Sequence, residues 1–449
     1  MDKKLINVYD LNNVGGIGAK TFEKILEVVD VITLEKEEST LDKDFRVTIP
    51  RIILEFMHEK WYSYLKEKNN KKRLWSYSRM STFENSKYEY YLRYIKKAKA
   101  DKTNVYLIIG GALHDLLEKY YIESMSIDEF KQEWTDALDQ IDVLDLRFHA
   151  DDDKNEKRKK KYLGQLRHYG DNFIPTNGTL IPELPIELKL KLENGDTEVF
   201  VGFIDMLKIE QIDGKMHYTV LDYKSSTIFG GKAMLKKAEQ LYLYAKAIMT
   251  MYNVPVEQVH IQYDFLKYIG IEYRQKNGNI KTTQSSRHTV VKKISKDATR
   301  RMTNDFDYDI EDANDIINEC LQKNSFEFLP DEIREIYKTG KAIVDVPIDG
   351  EILEGVMNDI RDQITDIKDH EKRYYESDED IMTFWDKIEK SDEFYLGTLC
   401  CYFKQHKPYQ EYLADKTMFI KDEYNDTVDK DNGNDSLNID DLLDELDNL

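Results

Sequence analysis

Cysteine is nearly missing from this chain: its 449 residues contain three, Cys320, Cys400 and Cys401. Three thiols, two of them adjacent, cannot make a disulfide framework, which excludes the small cross-linked secreted scaffolds and favours a reducing, cytoplasmic setting. Long apolar runs are missing too, and no stretch approaches the roughly 18 residues that a membrane span needs. The opening MDKKLINVYDLNN lacks the apolar core of a secretory signal and is expected to remain in the mature protein. Positive charge is in deficit, with 65 Lys and Arg against 86 Asp and Glu, a net charge of −21. What the chain has in quantity is apolar and aromatic side chain, 41% and 12% of residues, enough to offset chain entropy and exclude wholesale disorder. Its length suggests two to four structural units.

The negative charge is unevenly spread. Residues 421–449 hold eleven acidic residues and two lysines, and the rest of the chain is less acidic though still negative. A polyanion responds to the local field, and basic residues cluster at 66–73, 93–102, 154–167 and 287–301. Such runs are more often plain solvated faces.

The chain divides into four stretches. Residues 1–66 form a small helical unit, in which VGGIG precedes an amphipathic helix carrying Phe22, Ile25, Leu26 and Val29 on one side. This turn resembles the hairpin of helix-hairpin-helix modules, which grip a DNA phosphate through turn amides and a helix N-terminus. A plain glycine turn between packed helices gives the same pattern. A nucleotide-binding P-loop is excluded, because Val14 and Ala19 stand where GxxxxGK[ST] needs glycines. Residues 74–275 are the core: helical to about 125, a polar helical insertion over about 126–170, then strands from Leu184. Residues 276–420 are expected to be helical and to pack back on the core, and 421–449 to be an acidic tail. The tail's DSLNIDDLLDELDNL is either solvated disorder or a short partner-binding helix.

The strand region carries the chemistry. IELKLKL, EVFVGFIDMLKIE and MHYTVLDYKSS are separated by Asn194-Gly195 and Asp213-Gly214, both two-residue hairpin signals. If Asp213-Gly214 is the turn, Ile212 pairs with Lys215 and Asp205 falls directly opposite Asp222. The period of two puts the Lys224 ammonium on the same face. Val201, Phe203 and Val220 share that face, while Ile204, Met206 and Leu221 line the other, so the hairpin is central. Two opposed carboxylates there are costly unless a hard divalent cation such as Mg²⁺ or Mn²⁺ neutralises them. A lysine–aspartate salt bridge would leave the second carboxylate unexplained. With Asn194-Gly195 as a second two-residue turn, Leu184 faces Asp205, and Glu183 and Glu187 point away from the candidate set.

GFID, LDYKSS and AEQLYLYAKAI resemble the PD-(D/E)XK nucleases of the RecB, AddB and Cas4 type. The upstream GGALHDLLE is similar to the GxxxHxxLE helix of that family, and SYSRMSTFENSKYEYYLRY to its SxSxLxxF segment, so the likeness covers roughly residues 75–270 in motif order. The resemblance implies an α/β fold, a restriction-endonuclease-like core with a central mixed β-sheet flanked by helices, plus helical N- and C-terminal regions. It implies a metal site made by His114, Asp205, Asp222 and the Tyr223 carbonyl, with Lys224 positioning or activating water. Gln240 and Tyr244 would brace the site and contact substrate, and Glu118 would be a supporting residue. Many relatives also hold an iron–sulfur cluster on four cysteines. Here Ser86 stands at the early cysteine position and the segment YLGTLCCYFKQHKPYQEYL has only Cys400 and Cys401, so no cluster is expected, and the C-terminal segment is expected to close on the early helix by apolar and aromatic packing alone.

The expected activity is Mg²⁺- or Mn²⁺-dependent hydrolysis of DNA, by an exonuclease on ends or single strands, in recombination, repair or phage DNA processing. The setting would be the cytoplasm of a bacterial or phage-infected cell. Expected partners are DNA and, through the acidic tail, a helicase, replication or recombination protein; no membrane is involved. The alternative is a non-catalytic DNA-binding or scaffolding subunit of a helicase–nuclease or replication complex. A third possibility is action on a host defence or replication complex through the tail.

Overall fold

The computed structural model describes residues 73–102, 104–122, 125–144, 146–149, 152–229, 232–275 and 277–426. The expected N-terminal unit with its glycine-rich turn, and the tail beyond Asp426, lie outside the described residues.

A mixed seven-stranded sheet forms the centre. Its strands are β1 (Leu74–Trp75), β2 (Thr179–Lys191), β3 (Thr197–Ile212), β4 (Lys215–Lys224), β5 (Val259–Arg274), β6 (Ile280–Ser286) and β7 (Tyr337–Val346). Before β2 come α1 (Tyr77–Asn85), α2 (Lys87–Tyr90), α3 (Val105–Ile122), α4 (Ile127–Val143) and α5 (Asp152–Asp171). Between β4 and β5 run α6 (Lys232–Lys237) and α7 (Glu239–Tyr252), the crossover that their parallel pairing requires. After β6 come α8 (Val290–Asp305), α9 (Ile310–Lys323) and α10 (Asp331–Arg334), and after β7, α11 (Gly350–Glu376) and α12 (Lys407–Asp426).

Two helical layers bury the two faces of the sheet. On one face Leu241, Ala245 and Ile248 of α7 and Met357, Ile360 and Ile364 of α11 pack on Ile186, Leu207, Val220 and Ile261. On the other, Leu113 and Leu117 of α3, Phe130 and Trp134 of α4 and Leu166 and Tyr169 of α5 pack on Leu180, Met206, Leu221 and Leu266. The expected insertion is therefore the second layer of the core. Its 3.6-residue spacing of Phe130, Trp134, Leu138 and Ile141 makes α4 amphipathic, and Ser126 and Glu129 close a capping box at its start. Among the described residues no helix is long and apolar enough to cross a membrane.

Residues beyond 276 are not all helical as expected: β6 and β7 both pair antiparallel with β5. The β6 sequence IKTTQSS is polar and mostly uncovered, so it lacks the apolar alternation by which a strand is read.

β3 places the site. Beside β2 it is paired along its length, but on its other side it meets β1 only at Val199 and Phe200, and β4 only from Met206 onward. Residues 201–205 border the gap between these two partners, and Asp205 stands at its end.

Candidate active site

Asp213 and Gly214 both have positive φ, 49° and 78°, the pair of values that a two-residue I′ turn needs. The turn sets Ile212 against Lys215 and Met206 against Leu221, the expected register. Pairing stops there, one step before Asp205 and Asp222. The Tyr223 N–H instead donates to Asp205 Oδ2 at 3.1 Å, while Asp222, Tyr223 and Lys224 stay paired with Tyr263, Asp264 and Phe265 of β5. The two aspartates thus occupy the fork where β3 and β4 separate.

The expected groups gather at this fork. Lys224 Nζ lies 3.0 Å from Asp222 Oδ1 and 2.8 Å from Oδ2. His114, from α3, sets Nδ1 3.4 Å from Asp205 Oδ2 and Nε2 3.0 Å from the Tyr223 carbonyl oxygen. On the α7 side, Gln240 Nε2 donates to Tyr244 Oη at 2.7 Å. Gly202 admits that ring: a Cβ there would stand 2.8 Å from Tyr244 Cε1.

The second hairpin departs from expectation. Only Gly195 of its turn is left-handed, and Leu192 N–H donates to Asp196 O at 2.8 Å, closing a three-residue loop, Glu193–Gly195. One extra loop residue changes the register by one, which turns every side chain to the other face. Leu184 therefore pairs with Ile204 and Pro182 with Met206, and it is Glu183, not Leu184, that stands opposite Asp205. Glu183 has φ 47°, so the strand kinks there, and Ile204 and Met206 fall into cores on opposite faces of the sheet. Glu183 joins His114, Leu117, Glu118, Asp205, Met206 and Tyr223 around a small recess. The signal that could have found it is ENG itself, since three-residue hairpin loops also take glycine at their left-handed position.

The recess is over-supplied with negative charge. Burial, then the charges of Asp205, Glu118, Asp115 and Asp222, push the Glu183 carboxyl up to about 9. Burial also raises Asp222 to about 6; the Lys224 ammonium opposes this and the Asp205 carboxylate adds to it. For Lys224, burial works against the ammonium, but Asp222 and then Asp205 outweigh it and hold the group above its ordinary value. The Tyr244 hydroxyl is raised first by burial; the Gln240 hydrogen bond opposes, and Asp205, Asp222 and Glu183 add to the rise.

Such a site suits a hard cation. Carboxylates and a carbonyl are the oxygen donors that hard divalent cations take, and the imidazole adds one nitrogen donor. His114 Nε2 lies within hydrogen-bonding distance, 3.0 Å, of the Tyr223 carbonyl oxygen, and both residues line the recess. Buried Asp222 Oδ2 touches the Lys224 ammonium but makes no hydrogen bond. Among the described residues no three His, Cys, Asp or Glu side chains converge tightly enough to hold an ion as they stand.

Behind the site, the C-terminal segment is clasped differently from expectation. Tyr88, Leu92, Leu396, Cys400 and Tyr409 do pack together, but polar bonds join them. Ser86 Oγ bonds to Asp386 and lies 2.8 Å from His406 Nε2, and Asp386 Oδ1 and Oδ2 accept the Lys87 and Tyr88 N–H groups at 2.9 and 3.0 Å. Asn104 Nδ2 donates to the Leu399 carbonyl at 3.0 Å. Packing alone does not suffice because the interface buries a serine, a histidine and helix-start amides, which need partners.

No curated protein matches the chain. A family model does: that of the PD-(D/E)XK nuclease superfamily, over residues 74–331, which takes in every site residue described above and more than half of the chain. On that match, joined to a mixed sheet whose forked hairpin carries the opposed aspartates and the lysine, the chain belongs to the PD-(D/E)XK nuclease superfamily.

Proposed function

We propose that this chain is an Mg²⁺- or Mn²⁺-dependent deoxyribonuclease of the RecB and Cas4 type, acting on DNA ends or single strands in bacterial or phage DNA processing. The observation that carries the proposal is the cluster at the β3–β4 fork, where Asp205, Asp222 and Lys224 meet His114 and the Tyr223 carbonyl. His114, Asp205, Asp222 and the Tyr223 carbonyl would hold the cation. When bound, the cation supplies Lewis acidity at the phosphoryl oxygen and a more acidic water.

The protein groups divide the remaining work. Lys224, charged and partly open to solvent, swings from Asp222 to place the attacking water and stabilise charge growing on the phosphate. Gln240 and Tyr244 fix the α7 side and contact the substrate strand. Ser86, Asp386 and His406 hold the C-terminal segment to the early helix, the task an iron–sulfur cluster performs in many relatives.

Labelled single- and double-stranded DNA incubated with Mn²⁺ or EDTA tests the proposal. Wild-type protein should cut in Mn²⁺ alone, Asp222→Ala should be inactive, and Lys224→Ala should lose about 10²–10³ in kcat. The competing function is a DNA-binding scaffold, favoured by the contact of Lys224 with both Asp222 oxygens, as in a plain salt bridge. DNA binding without cleavage in any metal would establish that alternative.

A further inference from the structure

The basic run at 154–167 is divided by the fold. It lies on α5, whose Tyr162, Leu163, Leu166 and Tyr169 turn into the core. On the α4 side, Lys159 pairs with Asp142 at 2.8 Å and Arg167 with Asp139 at 2.5 Å. Lys161, Gln165 and His168 share a different face, at i, i+4 and i+7. Gln165 Nε2 donates to Ser286 Oγ at 2.7 Å, and Arg287 Nη1 lies 3.2 Å from His168 Nδ1, so this face looks onto the turn between β6 and α8. His288 stands on that turn. Burial, then the charges of Lys161 and Lys160, hold its imidazole below its ordinary value, so both lysines reach it.

The same patch runs back to the fork. Lys224 pairs with Phe265, and Lys267 comes two residues further along β5. The Lys267 ammonium is 5.1 Å from the centre of the Tyr162 ring, and its carbonyl accepts the Arg287 N–H at 2.9 Å. The Tyr162 hydroxyl lies beside Ser225, the residue after Lys224. Arg158, one turn before Tyr162, lies toward the Tyr106 hydroxyl, and the rings of Tyr106 and Tyr162 meet at 5.3 Å. Three elements therefore bring Arg158, Lys160, Lys161, Lys267 and His288 together, in a chain of net charge −21. A solvated helix face would account for α5 alone. It would not account for β5 and the β6–α8 turn adding like charge beside it, which is costly until an anion sits among them.

We propose that Arg158, Lys160, Lys161 and Lys267 form a phosphate track that holds the DNA strand on one side of the fork, beginning at Ser225 and crossing α5 toward His288. The proposal deepens the nuclease reading above and rests on it for its ligand. The contacts go to the strand's backbone, so the track fixes the position of the DNA at the fork and carries no preference for sequence.

The full chain and its Lys160→Ala/Lys161→Ala variant are titrated with a labelled single-stranded oligothymidylate in EDTA over a range of salt. Loss of two phosphate contacts should lower the slope of log affinity against log salt by about 1.4 and weaken binding about tenfold or more near 0.1 M salt. Lys160→Glu/Lys161→Glu should weaken it further, and Lys267→Ala should lower the slope by about 0.7. Lys372→Ala/Lys387→Ala, at two exposed lysines of the C-terminal region, should bind like wild type. An unchanged slope in the Lys160 and Lys161 variant, or an equal fall in the Lys372 and Lys387 control, overturns the track. Because binding is read in EDTA and cutting in Mn²⁺, the two claims fail separately. Wild-type protein that cuts in Mn²⁺ while the slope stays unchanged keeps the nuclease reading and loses the track; wild-type protein that neither binds nor cuts loses both.

Discussion

At Gly202 the protein tolerates no side chain. An added methyl would press on the Tyr244 ring at 2.8 Å and on its hydroxyl at 3.1 Å, and the ring is held by Gln240. Gly202→Ala should therefore cost about 1–3 kcal/mol by overpacking, seen as a lower thermal midpoint. It should also reduce cleavage, because relief can come only by moving Tyr244 or β3. Gly111→Ala, where a methyl meets nothing within 4 Å, is the control and should fold and cut like wild type. Glu183 shows the opposite economy. It is an acidic residue at positive φ, carrying backbone strain of about 1–2 kcal/mol, at the point where β3 changes face beside Asp205.

Among the elements, the two hairpins differ by one loop residue, and that difference selects what faces the site. Asp213-Gly214 sets a register whose last pair is Met206 with Leu221, leaving Asp205 and Asp222 just past it at the fork, while the longer Glu193–Gly195 loop puts Glu183 opposite Asp205. The C-terminal clasp is an element-level device with its own pH dependence. Burial opposes ionisation of Asp386, but bonds from His406, Ser86 and the Tyr88 N–H outweigh it and hold the carboxyl below its ordinary value. A depressed carboxyl stabilises the fold above its unfolded value, about 3.9, and this support is lost as pH falls through the lower folded value. Asp386→Asn should therefore lower the thermal midpoint near neutral pH by an amount equivalent to about 1–3 kcal/mol. The gap between variant and wild type should close below about pH 4. A gap that persists in acid would mean that shape, not charge, carries the clasp.

For the whole molecule, the cation would join parts that the sheet holds only loosely at the fork. His114 belongs to the α3 layer, Asp205 to β3, and Asp222 to a strand committed to β5. Binding to the folded form alone stabilises by mass action, about 2.7 kcal/mol at one hundred times Kd. Saturating Mn²⁺ should raise the thermal midpoint of wild type, and Asp222→Ala should abolish the rise. Global charge follows a different logic. Of the basic runs, Arg287 and Arg301 are buried, Arg167 pairs with Asp139, and Lys102 donates to the Gly397 carbonyl at 2.7 Å. These four basic groups are spent on the fold rather than laid on a solvated face, and count little toward a DNA-binding field.

Much of the site was legible in the residues alone. The Asp213-Gly214 turn specified the register of Asp205 and Asp222, because a I′ turn leaves the flanking strands one pairing and the period of two does the rest. The spacing of Gln240 and Tyr244 likewise put them on one helical face. Glu183 was hidden because ENG serves two loop lengths, and one residue of slip inverts a strand. β6 was hidden because a polar strand has no hydrophobic rhythm, and the Ser86, Asp386 and His406 clasp because Ser86 lies 300 residues from Asp386 and 320 from His406 in the chain. Local chemistry reaches only as far as a turn or a helix face. Which distant side chains share a buried space depends on how whole layers pack, and only the folded chain resolves that.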